Sequence, residues 1–341
     1  MIAARISDKE TIELVELDIP SPGDGEVLVR VLKCGICGSD LHTWHGKWNN
    51  PRPGHEFCGI VEECGDKVES LKPGDRVTAE CFGHCGACKW CRQGDYNLCE
   101  NKVDVFRPAG AFAEKIVHRA ESVFKVPDSL TVAQAVLVEP LAVSFRAVSR
   151  EREIEEANIV VIGGGTIGLL CAAVARAHGA RRVFSIAKYD HQAEMADRMG
   201  ATDVLRLGKD DPRQRIEEIT EGRGADLVVD AVAAGTSFTT ALSIARKRGK
   251  VVVVGGATRP LLSGIGPLIW GELMVTGSSC YATTEGRRDF EWALELTENK
   301  EVCSEPIITH IFSLDEISEA FQTADDKETG AIKVVVDISD R

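Results

Sequence analysis

Three groups of residues in this 341-residue chain have the types and spacing of chemistry. The densest is Cys85, Cys88, Cys91 and Cys99, spaced C-x2-C-x2-C-x7-C. Two-residue gaps let neighbouring sulfurs converge on one ion, and four thiolates fill a tetrahedral shell with no position left for water or substrate. That describes a structural metal site, although thiolates also hold iron–sulfur clusters. The second group is Cys37, His55 and Glu56, which offers sulfur, nitrogen and oxygen to a borderline-soft ion. Three protein ligands leave an open position, where zinc polarises an alcohol or carbonyl oxygen. Taken alone, Cys37 reads equally as a small buried apolar residue and His55-Glu56 as a surface pair; the neighbouring motifs tip the balance towards a metal site. The third group is Gly163-Gly164-Gly165-Thr166-Ile167-Gly168, which follows Val160-Val161-Ile162 and fits G-x-G-x-x-G. Gly163 permits the tight turn, Gly165 lets the backbone approach a pyrophosphate, and Gly168 lets helix and strand pack closely. Thr166 and Ile167 open the helix whose free N–H groups receive the phosphates.

The strand after this fingerprint, Arg182 to Ile186, should end in an acid for the adenosine ribose 2′-hydroxyl. The place holds Ala187, followed by Lys188 and Tyr189. Without the carboxylate nothing repels a 2′-phosphate, and Lys188 can pair with one. NADP is therefore favoured over NAD. The competing reading has Asp190 swing in to take the ribose, with Lys188 in solvent.

The elements that must hold these groups fall into two textures. Residues 1–33 read as β-structure, with Thr11 to Leu17 and Glu26 to Leu32 as strands separated by Pro20-Ser21-Pro22-Gly23. Residues 34–56 read as an irregular, site-bearing loop, and Arg76 to Ala79 as a strand after the Lys72–Asp75 turn. The cysteine-rich lobe, about 81–100, has too little apolar content for a core of its own. After about residue 145, apolar runs at Ile159–Ile162, Arg182–Ile186, Asp226–Val229, Val251–Val254 and Leu273–Thr276 alternate with helical patterns. This argues for a parallel sheet covered on both faces. A new helix starts near residue 287, and the chain closes on a strand at Lys333–Asp337.

The whole chain carries 40 Lys and Arg against 53 Asp and Glu, a net charge of −13, which disfavours nucleic acid as the main partner. The apolar stretch Ile159 to Ala175 concentrates glycines as a membrane span would not, so no membrane association is expected. The first ten residues mix acids and bases without a secretory core, and the compartment expected is the cytoplasm. Twelve cysteines in such a chain point to metal more than to disulfides.

With Cys34 to His42, Gly54-His55-Glu56, the Gly74–Val77 turn, the four-cysteine lobe, Gly110 to Glu114, Glu139-Pro140-Leu141-Ala142 and the glycine fingerprint all present, the sequence resembles the zinc-dependent medium-chain dehydrogenases, the alcohol and polyol dehydrogenase family. The resemblance implies an α/β protein. It has a GroES-like, β-rich catalytic domain at 1–145 and 287–341, interrupted by a Rossmann doubly wound parallel-sheet domain at 146–286. It also implies two zinc ions per chain and favours zinc over iron–sulfur in the lobe. Cys37 and His55 match catalytic zinc ligands, and Glu56 the third ligand or its exchangeable substitute. Glu139 matches the acid that sorbitol- and threonine-type members place near the metal, directly or through water. Ser39 matches the hydroxyl that takes the substrate proton, and His42 the group that passes it to solvent. The implied reaction is hydride transfer between a nicotinamide cofactor and a secondary alcohol or polyol, or its ketone. An aldehyde or conjugated-carbonyl reductase on the same scaffold is the alternative. A non-catalytic zinc-bound binding protein is disfavoured by the intact Cys37, His55 and Ser39. Relatives imply a homotetramer or homodimer joined near Leu273 to Gly277. The interval from Cys37 to His55 is short, and Trp44, His45 and Trp48 within it either wall the pocket or pack the loop. Cys34, Cys58, Cys64, Cys81, Cys171, Cys280 and Cys303 read as packing residues.

Overall fold

Valine- and isoleucine-rich segments bounded by glycine turns build two large sheets of different kinds. A computed structural model describes residues 1–256 and 264–340. The chain forms two compact units, one of residues 1–139, 285–299 and 308–341, the other of residues 140–284 and 300–307. The sequence reading set the first break at 145/146. The structure sets it at Glu139/Pro140, because the rest of helix Val138–Val148 packs on the second unit: Ser144 Oγ donates to Ile167 O at 3.3 Å.

In the first unit a seven-stranded sheet runs in the order Ile308–Ser313, Lys333–Asp337, Glu26–Gly35, Glu56–Cys64, Arg76–Ala79 and Val123–Lys125, with Lys115–Arg119 also on Glu26–Gly35. Strand Glu26–Gly35 is the hub. It is covered on both faces, so its residues run apolar instead of alternating. Its register sets Gly35 beside Glu56 on one neighbour and beside Val335 on the other. Val29, Val31, Phe57, Phe112, Ile116 and Val334 form the core here, together with helix Ile317–Asp325, which buries Ile317, Ala320, Phe321 and Ala324 at one helical face.

The expected irregular loop at 34–56 contains a helix, Gly38–Trp44. Its start was hidden because a cysteine serves as the N-cap: Cys37 Sγ accepts from Ser39 N–H at 3.5 Å and Asp40 Oδ2 accepts from Cys37 N–H at 3.0 Å. The four-cysteine lobe lacks its own core, as expected, and is tied to the sheet by polar contacts. Tyr96 Oη donates to Glu80 Oε1 at 2.6 Å, and Arg288 pairs with the same buried carboxylate.

In the second unit six parallel strands stand in the order Asp203–Arg206, Arg182–Ala187, Asn158–Ile162, Ala225–Asp230, Ala245–Val253 and Met274–Gly277. Numbered along the chain this is 3-2-1-4-5-6, the doubly wound arrangement that binds dinucleotides where the order reverses. The sequence reading missed Asp203–Arg206, whose charged ends mask a four-residue edge strand. Among the described residues no helix is long and apolar enough to cross a membrane.

Candidate active site

The four cysteines of the lobe close on one point. Their sulfurs stand 3.5 Å (Cys88–Cys91, Cys85–Cys99), 3.9 Å (Cys85–Cys91) and 4.0 Å (Cys88–Cys99) apart. Four sulfurs at about 2.3 Å from a tetrahedral zinc stand about 3.8 Å apart. The lobe therefore fits a single ion, whereas a cluster of several irons would spread the thiolates wider. Backbone N–H groups of Ala87 and Cys88 pull the Cys85 thiol down to about 6, towards the thiolate that a metal needs.

Cys37, His55 and Glu56 also converge, with one ligand atom from each lying within 4.8 Å of the others. Among the described residues these are the two groups that gather three or more such ligands. Glu139 does not join the second group; it is buried, and close enough to raise the pKa of both His55 and Lys333. Cys37 is fixed by its place at the helix cap. His55 is fixed by Gly54, whose φ of +95° and 2.7 Å clearance from its ideal Cβ position to Phe112 N admit no side chain. Glu56 is fixed by its pairing with Gly35.

Asp40 holds these parts together and was missed by the sequence reading. It is 4% exposed and accepts from Cys37 N–H and Gly54 N–H, each at 3.0 Å, so one carboxylate ties the helix cap to the Gly54-His55 turn. It also stands 3.7 Å from His55 Nδ1. Burial opposes charge on His55, but Asp40, the Cys37 sulfur and Glu139 outweigh it and hold its pKa well above the usual imidazole value.

The glycine fingerprint is equally specific in its geometry. The strand Asn158–Ile162 turns at Gly163, with φ +110°, into helix Thr166–Ala177. A Cβ on Gly168 would lie 1.8 Å from Gly163 O, whereas a Cβ on Gly165 meets nothing within 4 Å. Gly168 is thus required for packing, and Gly165 faces open space at the helix start, where phosphate oxygens can meet free N–H groups.

Two family models match the chain: the alcohol dehydrogenase GroES-like domain over residues 23–128 and the zinc-binding dehydrogenase model over residues 166–299. A sorbitol dehydrogenase from Halalkalibacterium halodurans is 32% identical over 93% of this chain and 93% of its own. The chain belongs to the zinc-dependent medium-chain dehydrogenases. Two solved structures resemble this dehydrogenase, each across 99% of both chains. One is a zinc-binding dehydrogenase from Sinorhizobium meliloti 1021 bound to NADP, with TM-score 0.89 and 28% identity. The other, described as a short chain alcohol dehydrogenase from Escherichia coli CFT073, is complexed with NADH, with TM-score 0.91 and 26% identity.

In this dehydrogenase Ser39 and His42 both lie on helix Gly38–Trp44, three residues apart and so on one face. Burial, Lys47 and His45 lower the His42 pKa, which keeps the ring neutral and able to accept a proton. Of the three residues considered as pocket walls, Trp44 is buried and packs on Phe321, with ring centroids 6.2 Å apart. His45 bridges Glu10 Oε1 at 3.1 Å and Asp325 Oδ1 at 2.8 Å. Trp48 stands edge-on to His42 at 5.0 Å, half exposed. The seven cysteines read as packing residues divide: Cys34, Cys58 and Cys171 are buried, Cys64, Cys81 and Cys280 half-buried, and Cys303 exposed.

Arg206 is another residue that sequence reasoning missed. Parallel register places it beside Ala187, at the end of the strand where the ribose acid is absent. Its guanidinium pairs with Asp190, which also lies 3.6 Å from Lys209, while its Nε is buried without a hydrogen-bond partner. Lys188 is exposed, with its ammonium 5.1 Å from the Tyr189 ring centroid.

Proposed function

We propose that this dehydrogenase interconverts a secondary alcohol of a polyol and its ketone, using NADP as the hydride partner and two zinc ions per chain. The observation that carries the reading is the convergence of Cys37, His55 and Glu56 beside a helix bearing Ser39 and His42. When bound, zinc supplies Lewis-acid polarisation of the alcohol oxygen, and the nicotinamide supplies or accepts hydride. Cys37, His55 and Glu56 hold the metal, and Asp40 orients the first two. Ser39 accepts the hydroxyl proton, and neutral His42 carries it on towards solvent. Glu139 adds negative charge beside His55 without belonging to the ligand group. The polyol class is supported by likeness to the Halalkalibacterium sorbitol dehydrogenase and by the Ser39–His42 pair.

The NADP preference rests on the cations around the empty acid position. Asp190, the rival candidate for the ribose, is already engaged by Arg206 and Lys209. A 2′-phosphate offers those cations and Lys188 a stronger partner than a surface carboxylate. Exposed Ile265, Ile269 and Trp270 precede the edge strand Met274–Gly277, which itself exposes Met274 and Val275, and this supports assembly of copies through that edge. A homodimer or homotetramer is expected by light scattering, and a monomeric mass contradicts it.

The test of the site is Cys37→Ser. It should reduce bound zinc from two per chain to one and lower turnover by at least about a hundred-fold, as loss of a ligand does to a metal-activated group. Two zincs retained at full turnover would refute the site.

A further inference from the structure

One buried cation has no part in the chemistry described above. Lys333 opens the strand Lys333–Asp337, and its side chain is 2% exposed. Its ammonium pairs with Glu56 Oε2, also 2% exposed, and donates to Ile36 O at 2.9 Å. The pair is built by three adjacent strands, because Gly35 lies beside Glu56 on one side and Val335 on the other. Gly35 also makes the room: a Cβ there would fall 2.5 Å from Glu56 Oε2 and 3.3 Å from Lys333 Cδ. A buried ammonium is retained only with counter-charge in place. Here the paired counter-charge is Glu56, one of the three candidate metal ligands, with the Cys37 sulfur and Glu139 as further negative neighbours.

We infer that Lys333 is a positioning residue that restrains Glu56 as a ligand of the Cys37–His55 metal centre. With Oε2 committed to the ammonium, Glu56 has one oxygen left for an ion and shares its negative charge between two cations. It is therefore a weaker donor than a carboxylate with the metal as its sole partner, and the easiest of the three ligands to displace. Removing the ammonium turns the full carboxylate charge towards the metal and tightens its hold. A residue that merely filled space would act oppositely, because its loss would loosen the site and let the metal go. The inference rests on the zinc reading of this site.

The test follows zinc release from the holoenzyme to a chromophoric chelator, with Cys37→Ser marking the phase that belongs to the four-cysteine lobe. Lys333→Met should slow release from the second site by about ten-fold, the scale of losing one charge beside an anionic ligand. Lys333→Gln, which keeps a hydrogen-bond donor and loses the charge, should do the same and serves where the methionine variant fails to fold. In a Glu56→Gln background, Lys333→Met should slow release clearly less than it does alone, because the closest coupling runs through that carboxylate. Cobalt substituted for zinc should give a visible spectrum that shifts in Lys333→Gln. Unchanged or faster release in the single variants, or the full effect persisting with Gln at 56, overturns the inference. A wild-type chain holding only the lobe zinc overturns the zinc reading itself, and the inference with it.

Discussion

Asp40 commits both carboxylate oxygens to backbone N–H groups of Cys37 and Gly54, and through them sets two candidate metal ligands, Cys37 and His55, that are 18 positions apart in sequence. Cys37 and His55 were legible because sulfur and imidazole are uncommon, chemically committed side chains at a recognisable spacing. Asp40, Lys333 and Arg206 were not, because their roles depend on which strand or turn they face. Arg206 gains its meaning only from a register that sets it beside Ala187. Arg206→Gln should therefore raise the KM for NADP about ten-fold, the scale of one charge-assisted phosphate contact, and leave the KM for NAD unchanged. Equal effects on both cofactors would remove Arg206 from the 2′-phosphate site. His45 gives the pH-dependent case. Hydrogen bonds to Asp325 and Glu10 raise its pKa above the usual value despite partial burial. A raised folded-state pKa contributes stability that is complete below the unfolded value of about 6.5 and is lost as pH rises through the folded value. His45→Gln should accordingly reduce stability most near pH 5–6, by under about 1 kcal/mol for so partly exposed a pair, and its Tm should converge with wild type at alkaline pH. A Tm difference that grows with pH would contradict the bridge.

At the scale of elements, the two glycines of the nucleotide turn do different work. Gly168→Ala forces a methyl group into Gly163 O and should lower Tm and abolish nucleotide binding together. Gly165→Ala meets open space in the protein, so Tm should hold while nucleotide affinity falls, because the methyl group occupies the approach of the pyrophosphate. Parallel losses of Tm in both variants would show that Gly165 is a packing residue. The helix Thr166–Ala177 and the strand Lys333–Asp337 appear with the limits read from sequence, since each is bounded by strong punctuation. The buried parallel strands were legible as continuous apolar runs. The helix Gly38–Trp44 was not, because cysteine is an unusual cap and seven residues give little periodicity. The lobe illustrates a different dependence. Its sequence showed that it needed an anchor, but the anchor is Glu80 and Arg288, brought together from 208 positions apart.

For the whole molecule, the alternation of β-rich and βα textures was enough to separate a GroES-like unit from a Rossmann-type one, and family membership confirms both kinds of domain. The exact break was less legible because helix Val138–Val148 starts two residues before the break, at Val138, and continues in the other unit. The chemistry assigned to the protein needs both units: a metal site to activate the alcohol and a glycine turn to hold the dinucleotide. The most direct measurement is therefore an initial-rate comparison at the absorbance band of the reduced nicotinamide. It would set polyols, simple secondary alcohols, L-threonine and aldehydes each against NADP and NAD, on protein holding two zincs per chain. The account expects the highest kcat/KM for a polyol with NADP. No turnover of any alcohol or carbonyl with either cofactor would contradict the proposed reaction, and turnover of a polyol with NAD alone would contradict the cofactor assignment.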